Sequence, residues 1–296
     1  MEDRHLRGYI YAILASLSTA FMAVLIKFTS STPVQTLVFF RSFVCFLFVS
    51  PTLLQGRAVL HTKRHALHFT RAIFGMMSIY AYFFSLRYLE LTEAIVLSNT
   101  VPLFIPLVAW VWLRSPVTKK RVYGILLGFL GVAFVLQPGY GIFHEPASVI
   151  GLLGALAKSI SFVSIRQLTR TEKAHKILLY YFSYVTLFSF IPMALLGFIP
   201  ISSVSWMSII LIGFCGVIYQ WLVTKSYSYM AAAKVGALLY TTVLFGAFFD
   251  WIIFGRKLTL LEIVGGICII LGGVIALIDQ KKPLKLGKKP PAHPFS

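Results

Sequence analysis

The sequence predicts an all-α integral membrane fold: ten transmembrane helices arranged as two inverted five-helix repeats, with both termini on the cytoplasmic side. Three observations carry this prediction. Apolar runs of spanning length recur along the chain, basic residues alternate between the segments that join them, and one register of self-similarity links the two halves.

Of the 296 residues, 58% are hydrophobic and 12% are charged, and the mean hydropathy is +0.84. A soluble domain carries roughly 25% charged residues. So small a polar fraction cannot cover a water-facing globule, but it suits a body solvated by lipid. A hydrocarbon core about 30 Å thick asks for roughly 20 apolar residues per helix. The apolar runs predict spans over 8–29, 36–53, 69–86, 94–112, 122–136, 148–168, 177–197, 205–224, 233–254 and 260–278. The first is read as an uncleaved span, because it is longer than a signal-peptide core and lacks a small-residue cleavage site. The Pro-rich basic stretch 280–296 predicts a disordered cytoplasmic tail.

The net charge of +18 resembles a nucleic-acid signature in size but not in distribution. Lys and Arg fall in short clusters between apolar runs, which is the pattern of topology signals and anionic-lipid contacts, and no nucleic-acid partner is expected. With the N-terminus inside, most of the 27 basic residues lie in inner segments, whereas the outer loops hold Arg87, Arg256 and Lys257. That asymmetry predicts an N-in, C-in topology. Cys45, Cys215 and Cys268 all sit within apolar runs without a CxxC pair, so neither a disulfide framework nor a zinc site is indicated.

A shift of 141 residues lays Ser85 on Ser226, Tyr88 on Tyr229, Trp110 on Trp251, Gly124 on Gly265 and Gly131 on Gly272. A two-residue adjustment brings Gly8 onto Gly151, Ser16 onto Ser159 and Ser18 onto Ser161. The expected units are 1–141 and 148–279, followed by the tail. Five spans per unit would make the second enter from the opposite side. Such inverted repeats place a solute site near the midplane between the halves.

Charge inside a bilayer is costly, so each ionisable residue within a span is a site hypothesis. Lys158, at the middle of span six, is the sharpest; it either meets an anionic solute or bonds backbone carbonyls inside the bundle. Arg41 in span two is a candidate for gating, anchoring or solute contact. Asp250 is the one acid well inside an apolar run, and it either carries a coupling proton or pairs with Arg256 and Lys257. Lys27 and Arg170 read as interface anchors. Asn99 precedes Pro102 and Pro106, whose missing hydrogen bonds are tolerated where freed carbonyls face protein or a cavity. The 141-residue counterpart of Asn99 is Tyr240. Ser18, Ser161, Gln220 and Tyr82 complete the expected midplane polar set. The glycines of GILLGFLG and VGGICIILGG predict close helix packing, within the chain or across a homodimer. His5, His61, His65, His68, His144, His175 and His293 map to loops, ends or the interface, and no nucleophile–base motif is visible. Neither catalysis nor a cofactor nor a metal is expected.

These stretches resemble the drug/metabolite transporter superfamily, in particular its ten-span EamA-type members. The resemblance is carried by Gly75, by Tyr82 to Tyr88, by the Pro102 segment, and by the series Gly124, Gly131, Gly213, Gln220, Ser226, Tyr227, Gly265 and Gly272; Arg41 and Arg71 fit it as well. It implies a bacterial inner-membrane carrier whose cavity is lined by spans 1, 3, 4, 6, 8 and 9, with spans 5 and 10 peripheral. Two departures stand out. Where relatives often end spans 4 and 9 with Gly-Glu, this chain has Leu113-Arg114-Ser115-Pro116 and Phe254-Gly255-Arg256-Lys257. The membrane-embedded Glu of four-span multidrug relatives is absent from span 1, and the repeat partner of that span carries Lys158 instead. A lysine without a central acid disfavours lipophilic cations and favours carboxylate-bearing solutes, such as an amino acid or an S-adenosylmethionine-like compound. The other readings are export of different metabolites or drugs, and a non-transporting membrane sensor or assembly protein.

Overall fold

The computed structural model describes residues 2–29, 32–51, 61–113, 119–136, 146–196, 203–230, 235 and 238–278; the expected tail lies outside them. Among the described residues the regular structure is helical and no strand occurs. The helices are α1 (Glu2–Phe28), α2 (Val34–Val49), α3 (His65–Tyr88), α4 (Leu91–Ser98), α5 (Val101–Leu113), α6 (Lys119–Leu136), α7 (Pro146–Leu168), α8 (Ala174–Leu195), α9 (Ser203–Tyr229), α10 (Thr241–Phe254) and α11 (Leu260–Ile278). Six stretches are long and apolar enough to cross a membrane: Leu6–Phe28, His65–Tyr88, Leu91–Trp112, Pro146–Leu168, Ala174–Leu195 and Trp206–Tyr229. Four shorter apolar helices accompany them, Val34–Val49, Val122–Gly131, Thr241–Phe254 and Leu260–Ile275.

Local chemistry sets several boundaries. The span expected over 94–112 is two helices, because Pro102 has no N–H to return to the preceding turn. Side chains reinforce the end of α4: Asn99 Nδ2 donates to the Ile95 carbonyl at 2.8 Å and Thr100 Oγ1 to that of Leu97 at 2.7 Å, each beside a backbone N–H on the same carbonyl. Gly255 ends α10 in the left-handed region at φ 67°, where a Cβ would be strained. Thr259 and Glu262 open α11 with a reciprocal capping box, each side chain accepting from the other's backbone N–H. The last expected inner span, 233–254, is described as helix α10 only from Thr241. His68, expected outside span three, lies wholly buried in the first turn of α3.

The helices interleave. Those before residue 141 pack mainly on those after it: α1 on α9, α2 on α8, α3 on α7, α4 on α10 and α6 on α11. The α6–α11 crossing is made by glycine on both sides. A Cβ on Gly131 would reach the Gly265 carbonyl at 2.5 Å, and one on Gly272 would reach that of Gly124 at 2.5 Å. These glycines therefore serve close approach within the chain. Ser85 and Ser226 act alike across the two main pairs, donating to the carbonyls of Ala147 and Gly8, each at 3.0 Å. Leu14, Phe21, Val111, Leu195 and Leu260 belong to an apolar exterior too extensive for a water-facing monomer.

Candidate functional site

Small residues let α7 run against α3: a Cβ on Gly154 would lie 2.5 Å from that of Ala81. This contact fixes α7 and leaves Lys158, at its midpoint, directed at the α4–α5 break. Lys158 Nζ donates to Ser98 Oγ at 3.2 Å and lies 5.8 Å from the ring centroids of both Phe162 and Tyr219. Among the described residues no carboxylate pairs with it. Asn99, Pro102, Phe162, Tyr227 and Leu239 wall a cavity of about 10 Å³ beside the amine. That volume admits about one water, so the centre is closed around Lys158 in this conformation. The Tyr227 hydroxyl is buried there without a hydrogen-bond partner.

The structure joins some of the sequence-predicted residues and separates others. Lys158 and Asn99 share the cavity. Ser161 and Ser18 instead bind neighbouring backbone, Ser161 Oγ to the Arg71 carbonyl at 3.0 Å and Ser18 Oγ to that of Cys215 at 2.9 Å. Both act as ties between helices. Tyr240 is buried against α11, with its hydroxyl pressed on Gly273 and away from the Lys158 cavity. Tyr82 is half-buried on α3 and packs against the apolar core. Gln220 Oε1 faces Arg71 Nη2 at 3.5 Å. Ser98, Phe162 and Tyr219 escaped the sequence reading, and Tyr227 entered it only among the residues that carry the family resemblance. Tyr219 and Tyr227 stand eight residues apart on one helix, which puts them on one face two turns apart, a signal that was present.

Two further cations share the interior, so Lys158 is not the sole central charge that the sequence suggested. Arg41 and Arg71 are each 1% exposed. Arg41 does not snorkel; it turns inward from the middle of α2, with its Cζ 6.0 Å from the Phe83 ring centroid. Arg71 lies over the Tyr181 ring at 4.5 Å and donates to the Ile177 carbonyl at 3.0 Å.

Acidic side chains gather at the two ends of the bundle. At one end Asp250, 1% exposed, accepts from Thr92 N at 3.1 Å and Thr92 Oγ1 at 2.6 Å, and lies 3.6 Å from Arg256. Arg256 also contacts Glu93 at 3.1 Å and Glu262 at 2.7 Å. Burial works against the Arg256 charge, but Glu262, Glu93, Glu90 and Asp250 outweigh it and hold the guanidinium above its ordinary value. Lys27 lies 3.9 Å from Glu90 and donates to the Leu89 carbonyl at 2.7 Å. A cleft of about 230 Å³ opens at this end, lined by Lys27, Val34, Leu37, Phe83 and Arg87. At the opposite end Glu172 accepts from Thr62 and lies 2.6 Å from His68 Nε2 and 3.6 Å from Lys176. Burial alone would raise its carboxyl, but the bonds from Thr62 and His68 and the charges of His68 and Lys176 outweigh it, so Glu172 titrates below the usual carboxylate range.

The model of the EamA-like transporter family matches residues 6–137 and again residues 146–278. The chain belongs to the EamA-like transporter family. A pseudopaline exporter of Pseudomonas aeruginosa is 27% identical over 277 residues, which are 93% of this chain and 97% of that protein. An S-adenosylmethionine uptake transporter of Rickettsia bellii is 22% identical over 247 residues, 83% of this chain and 84% of its own. A protein of known crystal structure superposes with a TM-score of 0.69 at 17% identity, covering 95% of this chain and 99% of the other, and shares the fold. This EamA-like chain is a multi-pass membrane protein of a family of transporters.

Proposed function

We propose that this protein is a secondary transporter of a small carboxylate-bearing metabolite, an amino acid or a larger zwitterion such as an S-adenosylmethionine-like compound. The observation that carries the reading is Lys158: a mid-bundle ammonium with a hydroxyl and two ring faces beside it, and no carboxylate among the described residues. A buried charge left unpaired costs several kcal/mol. An anionic solute that replaces the Ser98 contact offsets this cost, since a hydrogen bond to a charged group contributes about 1.5–3 kcal/mol. A pseudopaline exporter and an S-adenosylmethionine uptake transporter among the relatives support a small-molecule solute.

In this reading the four shorter apolar helices also cross the bilayer, giving ten spans in two inverted repeats, N-in and C-in, in a bacterial inner membrane. The cavity beside Lys158 is too small for a metabolite, so access requires the α4–α5 break to move relative to α7. Asn99, Ser98 and Tyr227 supply polar groups along that seam, while the ion clusters at the two ends open in turn. Counterflow in proteoliposomes preloaded with unlabelled amino acids or adenosyl compounds tests it. Accumulation of at least one labelled carboxylate is the expected result; exchange confined to solutes lacking a carboxylate contradicts it.

A further inference from the structure

Arg41 and Arg71 present a charge arrangement that the Lys158 cavity does not use. Arg41 Nε and Nη1, and Arg71 Nε, are buried without a hydrogen-bond partner. Gly216 of α9 makes room for Arg41: a Cβ there would lie 2.8 Å from Arg41 Nη2. Arg71 meets Gln220, one turn further along α9. The two guanidinium groups therefore border successive turns of α9, about 5.4 Å apart along its axis. Tyr219, between those turns, is the residue whose ring Lys158 approaches from α7. Three cations thus border one face of a short stretch of α9.

Aromatic faces temper these charges without neutralising them: Phe83 beside Arg41, Tyr181 beside Arg71 and Tyr219 beside Lys158. Among the described residues, the carboxylates are engaged elsewhere. Asp250, Glu93 and Glu262 converge on Arg256, Glu90 faces Lys27, and Glu172 is bound by His68 and Lys176. A guanidinium fork accepts a planar carboxylate through two parallel hydrogen bonds, a contact that an ammonium cannot reproduce.

The geometry points to a second anion-binding subsite at Arg41 and Arg71, so that a solute with two carboxylates is bound more tightly than one with a single carboxylate. This rests on the Lys158 reading, which supplies the contact for the first. The solute lies along that face of α9, with one carboxylate at Lys158 and another reaching the free Nε and Nη1 atoms of Arg41. Arg71, already bonded to Ile177 and Gln220, holds that side of the subsite and adds its charge.

Propionate and succinate, titrated separately at matched ionic strength onto the purified full-length protein, test the inference through ligand-dependent thermal stabilisation. The wild type is expected to bind succinate about tenfold more tightly than propionate, the gain of one further charge-assisted contact. Arg41→Gln removes that step. Gly216→Ala, which displaces the guanidinium without deleting its charge, removes it as well and covers the case in which R41Q fails to fold. A wild type that binds both acids equally, or a step that persists in both variants, overturns the second subsite. Lys158→Gln separates the two readings: unchanged affinity for both acids in that variant defeats the Lys158 assignment, whatever the step does. Failure of both acids to bind the wild type defeats both.

Discussion

The ends of the bundle and its middle handle charge in opposite ways. At each end basic and acidic side chains pair: Arg256 with the neighbouring Asp250 and Glu262 and with the distant Glu93, and Glu172 with the neighbouring Lys176 and the distant His68. In the middle Lys158 and Arg41 face rings and a hydroxyl, and Arg71, one turn inward of His68, faces a ring, a carbonyl and an amide; none of the three has an ion pair with a carboxylate among the described residues. Paired ends hold helices together, while an unpaired middle keeps its charge for something that is not protein. In the proposed function the ends tie helices together and the centre recognises the solute.

The strongest way to break this contrast is at Asp250. Asp250→Asn keeps an acceptor for Thr92 but leaves Arg256 short of a partner. Removing one member of a fully buried pair costs about 3–5 kcal/mol. Arg256 is a quarter exposed and retains Glu93 and Glu262, so a loss of about 2 kcal/mol is expected, read as a lower melting temperature. A variant of unchanged stability that loses proton-dependent uptake would instead make Asp250 a coupling residue and move part of the chemistry to the end.

Glu172 gives a smaller effect with a defined pH sense. Its native titration lies below that of the unfolded chain, so the stability it contributes is present above about pH 4.3, the unfolded value. That contribution fades as pH falls through the depressed native value. Melting temperature should therefore fall more steeply on acidification in the wild type than in Glu172→Gln, which starts lower at neutral pH. Identical slopes would show that the Thr62–His68–Lys176 tie does not depend on the carboxylate charge.

The helical class was legible because an apolar run of spanning length leaves the backbone little choice but to bond within itself. The glycine-rich segments were legible as packing for the same kind of reason, since a missing side chain at Gly131 or Gly272 has its effect wherever a helix crosses closely. Position along a helix was readable too, as Lys158 at mid-span shows. Direction around a helix was not. Hydropathy sees Arg41 as a charge in an apolar run, but its inward turn depends on the space left by Gly216, 175 positions away in sequence. The repeat register aligned Tyr240 with Asn99, but the direction of its ring, towards Gly273 on α11, was not readable either. Glu172 and His68 are separated by 104 residues, and no local pattern announces such a pair.

The central claim is that the unpaired ammonium of Lys158 selects a solute carboxylate. Its most direct test is counterflow of one transported acid and its methyl ester, measured for the wild type and for Lys158→Gln. The account predicts that the wild type prefers the acid by about tenfold or more and that the variant loses this preference. Equal exchange of acid and ester by the wild type, or a preference that survives in the variant, would contradict it.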